Sequence, residues 1–318
     1  MKVSLIKSNI GIFILAYSRV AHLKKTISAL DDKLSREDKI YIFCDNFSNS
    51  QSTTIKNKVK KVIKYLKTLD KKRFVITLRN KRMGLRKNWH LAWSFMFNKF
   101  DKVICLEDDI VINKNFLPFM KYYLNIYKSN PRIMNISGFS TKMKIPKNYE
   151  YDCYLTTRSM SWGQGSWRRV WTKFNSLNQN HKNILKVSNN KKKLTSAGGE
   201  DILRAMVLDY WKIIESIQVW WVWNIIKNNG YCINPVGSLV KNIGFDGTGY
   251  HTKKGDIFQR NKIYLHKKKM QKPFFSKKIN NDFLSKFKIK TINYHLFNNL
   301  PLVVIKYLFR IKKIIKVN

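Results

Sequence analysis

Four short apolar runs in the first 110 residues, each closed by a polar turn and followed by a helical pattern, restrict what this chain can fold into. NIGIFILAY, KIYIFCD, RFVITL and VICLEDD are rich in Ile, Val and Phe and read as strands. VAHLKKTISAL, TIKNKVKKVIKYLKTL, KNWHLAWSFMFNKF and FLPFMKYYLNIY follow them in turn, with apolar residues at helical spacing. Buried strands joined by crossover helices predict an α/β domain: a Rossmann-like, mostly parallel central sheet with helices on both faces. Sheets of this kind bind ligands outside the carboxyl ends of their strands. That rim carries Tyr17-Ser18-Arg19 after the first strand, Asp45-Asn46 after the second and Glu107-Asp108-Asp109 after the fourth. Neither G-x-G-x-x-G nor G-x-x-x-x-G-K-[ST] occurs, so no dinucleotide or P-loop site is signalled.

The acidic triplet stands out because acids are scarce: 19 Asp and Glu against 62 Lys and Arg, a formal net charge of +43. Adjacent carboxylates repel, and a hard divalent cation with oxygen ligands offsets that repulsion. Side chains alternate along a strand, so one or two of the three would face the crevice and the rest would find other partners. The plainer alternative is that the triplet caps the next helix or pairs with nearby lysines. The excess positive charge raises a nucleic-acid reading, but only 13 of the 62 basic residues are Arg, the type suited to bidentate phosphate and base contacts. No recognition helix or RNA-binding motif accompanies the charge, so no specific nucleic-acid partner is predicted. An anionic membrane surface suits a Lys-rich face equally well.

Cys44, Cys105, Cys153 and Cys232 form no C-x-x-C pair; Cys44 and Cys105 lie inside strand runs, as small hydrophobes in a reducing compartment. NIGIFILAY is too short to span a membrane. The second half is less regular. YDCYLTTR reads as a strand, SMSWGQGSWRRVW is Gly- and Trp-rich, 183–199 is polar, and DYWKIIESIQVWWVWNIIKNNG reads as one long helix with Gly230 at its C′ position. From Asp256 on, 63 residues carry 16 Lys or Arg and two acids. Their last stretch, PLVVIKYLFRIKKIIKVN, reads either as a basic amphipathic helix for a membrane surface or as a solvated helix packed on the domain. The predicted organisation is a domain over 1–255, split into halves 1–113 and 114–255, and a basic extension over 256–318.

YSR, GLRKNWHLAW, LEDDIVINKNFLPFM, ISGFS, SWGQGSWRRVW and SLVKNIGFDGTGYH occur in that order. Together they resemble a bacterial family of GT-A-type glycosyltransferases of the surface polysaccharide and lipopolysaccharide kind, and more distantly the Golgi N-acetylglucosaminyltransferase that starts complex N-glycans. The resemblance spans about residues 9–251. It implies a GT-A fold, an inverting reaction, a nucleotide-sugar donor (a UDP-sugar favoured), a DXD-like acidic motif, and Mn²⁺ or Mg²⁺ as cofactor. With the reducing compartment read from the cysteines and the basic C-terminal stretch, the expectation is a cytoplasmic protein peripheral to the inner face of the plasma membrane, near a surface-glycan or lipid-linked acceptor.

Carried onto this sequence, the resemblance implies that Asp109 holds the metal; His251 either completes the metal shell or, as a lone His more often is, is structural. Glu107 and Asp108 would contact the ribose or order the site, Arg19 the diphosphate or base, Asp45 the base, and Asn88 the donor. Arg19 read alone also fits a surface ion pair, and Asp45 a turn or cap. An inverting transfer needs a carboxylate base. Counting back from Pro235, the resemblance implies Glu215, where relatives usually carry Asp; apolar helix neighbours would lift its pKa into a working range. Asp201, in SAGGEDIL, is the rival, with a helix cap as its plain reading. Gly163 and Gly165 suit close backbone approach to a ligand, and Trp162 and Trp167 offer faces for a sugar or for the core. A nucleic-acid-binding protein and a metal-dependent phosphotransferase or nuclease remain the alternatives; the second would want another acidic cluster.

Overall fold

The structure, a computed structural model, describes residues 10–141, 149–174, 184–185, 187–246 and 307. The four apolar runs form β1 (Ile10–Ala16), β2 (Ile40–Cys44), β3 (Phe74–Leu78) and β4 (Lys102–Glu107). The helical patterns between them form α1 (Val20–Asp31), α2 (Thr53–Lys67) and α3 (Leu85–Lys99). β1 lies between β2 and β4 and runs parallel to both, with β3 beyond β2. The chain winds outward from β1 to β3 and then crosses back to place β4 on the other side of β1. That reversal opens a crevice at the carboxyl ends of β1 and β4.

Beyond β4 a short strand, β5 (Ile110–Ile112), leads to α4 (Phe116–Ile126), and then come β6 (Ile133–Ser137), β7 (Cys153–Thr156) and β8 (Gln164–Trp167). After α5 (Arg168–Trp171) and α6 (Ser188–Lys193), a π turn over Leu194–Gly198 opens α7 (Glu200–Tyr210). The described elements finish with α8 (Gln218–Lys227), β9 (Tyr231–Pro235) and β10 (Val240–Asn242). The main sheet has eight strands in the order β3-β2-β1-β4-β8-β6-β9-β7, while β5 and β10 pair as a separate antiparallel ribbon. It is parallel from β3 to β4; β8 enters antiparallel between β4 and β6, β9 is parallel to β6, and β7 closes the edge antiparallel. The α/β class with a large, flanked central sheet is therefore as the strand–helix alternation predicts. All four cysteines are free and buried.

β8 carries a correction. Its sequence, QGSW, has no β-branched residue, and the reading above assigned Gly163 and Gly165 to a ligand. Both glycines instead face packed side chains. A Cβ on Gly163, whose φ is +66°, would come within 2.7 Å of the Phe116 ring, and one on Gly165 within 3.2 Å of Met120 Sδ. They let α4 lie close to the sheet. Trp167 is core as well, donating its Nε1–H to Leu124 O.

The long helix expected over residues 209–230 is broken. α7 stops at Tyr210, Lys212 takes a left-handed φ of +56°, and α8 begins only at Gln218. The break is stabilised by Asp209, whose carboxylate accepts Ser216 N at 2.9 Å and Trp220 Nε1 at 2.9 Å and is bound by the Arg86 guanidinium. Gly230 is also displaced by one place: Asn229 takes the left-handed position at φ +50°, and Gly230 N bonds back to Ile225 O at 2.8 Å. Beneath the break, Trp89, Trp93, Trp171, Trp221 and Phe174 pack edge and face between α3, α5 and α8. No helix among the described residues is long and apolar enough to cross a membrane.

Candidate active site

β4 ends at Glu107, and the turn at Asp108-Asp109 leads straight into β5. Two neighbours hold the turn's backbone. Thr26 Oγ1 in α1 donates to Asp108 O at 2.9 Å, and Ile243 N, just past β10, donates to Asp109 O at 2.9 Å. Asp108 and Asp109 are 5% and 4% exposed, so both carboxylates have lost most of their water. The triplet divides, but not by strand alternation: Asp108 and Asp109, in the turn, share the Arg19 guanidinium, and Glu107 points elsewhere. Asp108 turns toward Tyr17 N (3.3 Å) and the Arg19 guanidinium, whereas Glu107 turns to Ser161.

Burial pushes the Glu107 carboxyl up to about 7, helped by the charge of Asp109 and opposed by the Ser161 hydrogen bond and Arg19. Burial also pushes Asp108 up to about 6, with Arg19 pulling it back. Arg19 is the local counter-ion: its Nη2 bridges Asp108 Oδ1 and Asp109 Oδ2, the latter at 2.8 Å. Burial alone would lower the Arg19 pKa, but Asp108 and Asp109 raise it overall. One monovalent guanidinium against three carboxylates leaves the cluster short of positive charge.

Asp109 Oδ1 is the atom left over: it is buried and has no hydrogen-bond partner. A buried, unpaired carboxylate oxygen is costly unless something positive reaches it. Its chemistry suits a hard divalent cation, for which one protein carboxylate plus phosphate oxygens and water is a common donor set. Among the described residues no cluster of three or more His, Cys, Asp or Glu could hold a metal alone, so Asp109 would rely on the ligand for the remaining donors. His251, the other residue implied as a ligand, lies outside the described residues. The loop after β10 forms the wall of the site: a Cβ on Gly244 would fall 2.1 Å from Asp109 Oδ2 and 2.7 Å from Arg19 Nη1. His22 Nε2 supports that loop from α1, 3.2 Å from Ile243 O and 3.1 Å from Asp246 Oδ2.

At the β2 end of the rim, Asp45 builds structure. Its carboxylate accepts Asn46 N, Met83 N and Gly84 N at 2.9, 2.7 and 3.0 Å, fixing the turn that opens α3. Asn88 is one step further in, accepting Arg79 Nε at 2.8 Å from a buried position. Beside them, Arg82 lies 4.7 Å over the Tyr17 ring, and both Arg82 Nη1 and Arg79 Nη2 are buried without a partner. Sequence reading missed these two arginines, although RNKRMGLR places four basic residues between β3 and the first turn of α3.

The two base candidates differ in what they have free. Asp201 is engaged through both oxygens by the buried Arg158 guanidinium, which also donates to Gly198 O at 2.6 Å. Glu215 sits in the break between α7 and α8, where Oε1 accepts Arg86 N at 2.9 Å at the start of α3. Among the described residues its other oxygen carries no such bond, and both oxygens lie 3.8 Å from where a Cβ on Gly84 would be, on the turn that Asp45 fixes. Its surroundings are thus a helix N-terminus and a turn, not the apolar helix face expected. The segment 157–162 links all three regions. Arg158 binds Asp201, Ser159 O accepts Gln218 Nε2 at 2.6 Å, Ser161 binds Glu107, and Trp162 packs on Phe139 and on Phe245 of the Gly244 loop. Trp162 is therefore half core and half loop support.

No family model matches this chain, and no curated protein does. Solved structures similar to it include GalNAc-T7 with UDP, GalNAc and Mn²⁺ (TM-score 0.43, 9% identity, covering 71% of this chain and 42% of that one). Another is residues 1–349 of S. aureus TarS (TM-score 0.39, 9% identity, 72% and 59%). A third is the mannosyltransferase PcManGT of Pyrobaculum calidifontis with GDP-Man and Mn²⁺ (TM-score 0.36, 11% identity, 70% and 68%). This chain spans less than half the length of the first of these. Likeness at this level carries no weight for the site, which rests on its own geometry.

Proposed function

We propose that this protein is a metal-dependent, inverting glycosyltransferase, moving a sugar from a nucleotide-diphosphate donor to a hydroxyl of a surface-glycan or lipid-linked acceptor. The observation that carries the reading is the unpartnered, buried Oδ1 of Asp109, set where the strand order reverses. The ordered motifs from YSR to the NIGFDG loop support the donor class. Asp109 would hold Mn²⁺ or Mg²⁺, which when bound neutralises charge on the departing diphosphate. Arg19 holds the other oxygen of that carboxylate, and Ile243 N fixes its backbone. The Gly244 loop closes the far side, and Arg79 and Arg82 offer unpaired N–H groups to the donor's nucleotide end.

Glu215 is the base in this reading. Its free oxygen takes the acceptor hydroxyl proton as that oxygen attacks the anomeric carbon, while the bond from that carbon to the diphosphate breaks and its electron pair leaves with the nucleotide. Asp201, held through both oxygens by Arg158, acts as a structural partner. The basic stretch 256–318, outside the described residues apart from Tyr307, fits contact with the inner face of an anionic membrane.

The reading is tested by calorimetric titration of UDP, GDP, CDP and their sugar conjugates, with and without Mn²⁺. Metal-dependent binding of one diphosphate family is expected; no binding across the panel would return the triplet to a purely structural role. Glu215→Gln separates the two carboxylates. The amide oxygen still accepts Arg86 N, so folding should change by less than about 0.5 kcal/mol, while release of nucleotide drops by about 10²–10⁴-fold at unchanged donor affinity. Full turnover in Glu215→Gln, with loss in Asp201→Asn, would move the base to Asp201.

A further inference from the structure

We infer that Arg19 is a built-in cation that occupies the acidic turn when no donor is bound, so that metal and nucleotide diphosphate enter together rather than independently. The inference rests on the reading of Asp109 as the metal-holding carboxylate.

The geometry supports a displaceable plug more than a fixed strut. A single nitrogen, Nη2, contacts both Asp108 and Asp109, so the guanidinium is shared between two acids and forks squarely onto neither. Its side chain remains 20% exposed, whereas those of its acidic partners are 7% and 5% exposed, so it is the solvent-facing member of the cluster. Arg19 is the residue immediately before α1 and has no side-chain cap duty there. Its long stem can therefore swing without disturbing the helix. The loop at Gly244 closes one side of the guanidinium, leaving the crevice as the direction of exit.

A divalent cation approaching Asp109 Oδ1 in this state meets a like charge across the same carboxylate. The cost is electrostatic and local, because both groups sit where water is largely excluded. A nucleotide diphosphate removes it, since a guanidinium binds phosphate oxygens bidentately at least as well as it shares two carboxylates. Arg19 then moves from protein acid to ligand anion, and Asp109 gives its oxygens to the metal. Metal affinity and diphosphate affinity become coupled, each raising the other by the same factor.

The experiment is direct measurement of Mn²⁺ binding, by the loss of the free-ion paramagnetic resonance signal, on wild type, Arg19→Ala and Arg19→Lys, first with Mn²⁺ alone and then with UDP or GDP present. Wild type should bind Mn²⁺ weakly alone and at least about tenfold more tightly with the diphosphate. Arg19→Ala should bind Mn²⁺ alone at least about tenfold more tightly than wild type and gain less from the nucleotide; Arg19→Lys, which keeps the charge but not the two-pronged donor, should match wild type with Mn²⁺ alone and gain less from the nucleotide. Arg19→Met preserves the stem and replaces the alanine variant if that one does not fold. Unchanged or weaker Mn²⁺ binding by the folded Ala or Met variant overturns the inference while leaving the metal reading intact. Absence of Mn²⁺ binding in every variant, with or without nucleotide, overturns both.

Discussion

Asp109→Asn should lower nucleotide release from the donor by roughly 10³-fold or more, the several kcal/mol of charge stabilisation that a metal at this carboxylate would supply. The substitution keeps the shape of the side chain and removes only its charge and one strong acceptor. Folding should be little changed or improved, because Asp108 keeps Arg19 and the triplet loses one of its three mutually repelling groups. The two readouts therefore separate: turnover collapses while the thermal midpoint stays within a few degrees. Release can be followed with water as a slow acceptor, so the natural acceptor need not be known. Wild-type turnover in this variant would remove the acidic turn from the chemistry.

The largest expected effect on stability lies elsewhere, at Asp209. This carboxylate is buried and joins α7 to three partners: the Arg86 guanidinium of α3, far away in sequence, Ser216 N in the break, and Trp220 Nε1 in α8. Asp209→Ala leaves one buried N–H, one half-buried N–H and a partly buried guanidinium without this acceptor, a cost of about 3–5 kcal/mol. Urea unfolding should show it as a fall in midpoint with little change in slope. Glu215 is the residue before Ser216, so release of the break should also loosen the proposed base. Donor binding, set around Asp109 and Arg19, should survive better than turnover. A stability loss below about 1 kcal/mol would mean that the bonds to Asp209 are replaced by water at no net cost.

Much of the rim was legible because strand ends are. β1 to β4 are runs of Ile, Val and Phe with polar stops, and a parallel order puts those stops on one edge whatever the details of packing. Hence Arg19, Asp108 and Asp109 were placed together before any geometry was known. Other features were hidden for physical reasons. YWKIIESIQVWW has unbroken helical spacing and no Gly or Pro. The break depends on Asp209 capturing a backbone N–H seven residues ahead, which no local pattern announces. QGSW reads as a ligand loop because a glycine that admits a substrate and one that admits a phenylalanine ring look alike in sequence. Asp45 was read toward the nucleotide, yet its three backbone bonds show a carboxylate already committed to shaping the turn over which Glu215 lies.

The four residues of β8 are the seam of the sheet, paired to β4 on one side and β6 on the other. Residues 102–105 thus find their second neighbour some sixty positions later, in a strand with poor intrinsic preference for being one. A fragment ending near residue 113 would keep three crossover units but bare the flank of β4, with Val103 and Ile104 unzipped along an unpaired ladder. Such a piece should self-associate rather than behave as a soluble nucleotide-binding half. The seam ties the two halves through one sheet, in which the late-arriving strand covers Lys102–Cys105 and shields that flank of β4 from other copies.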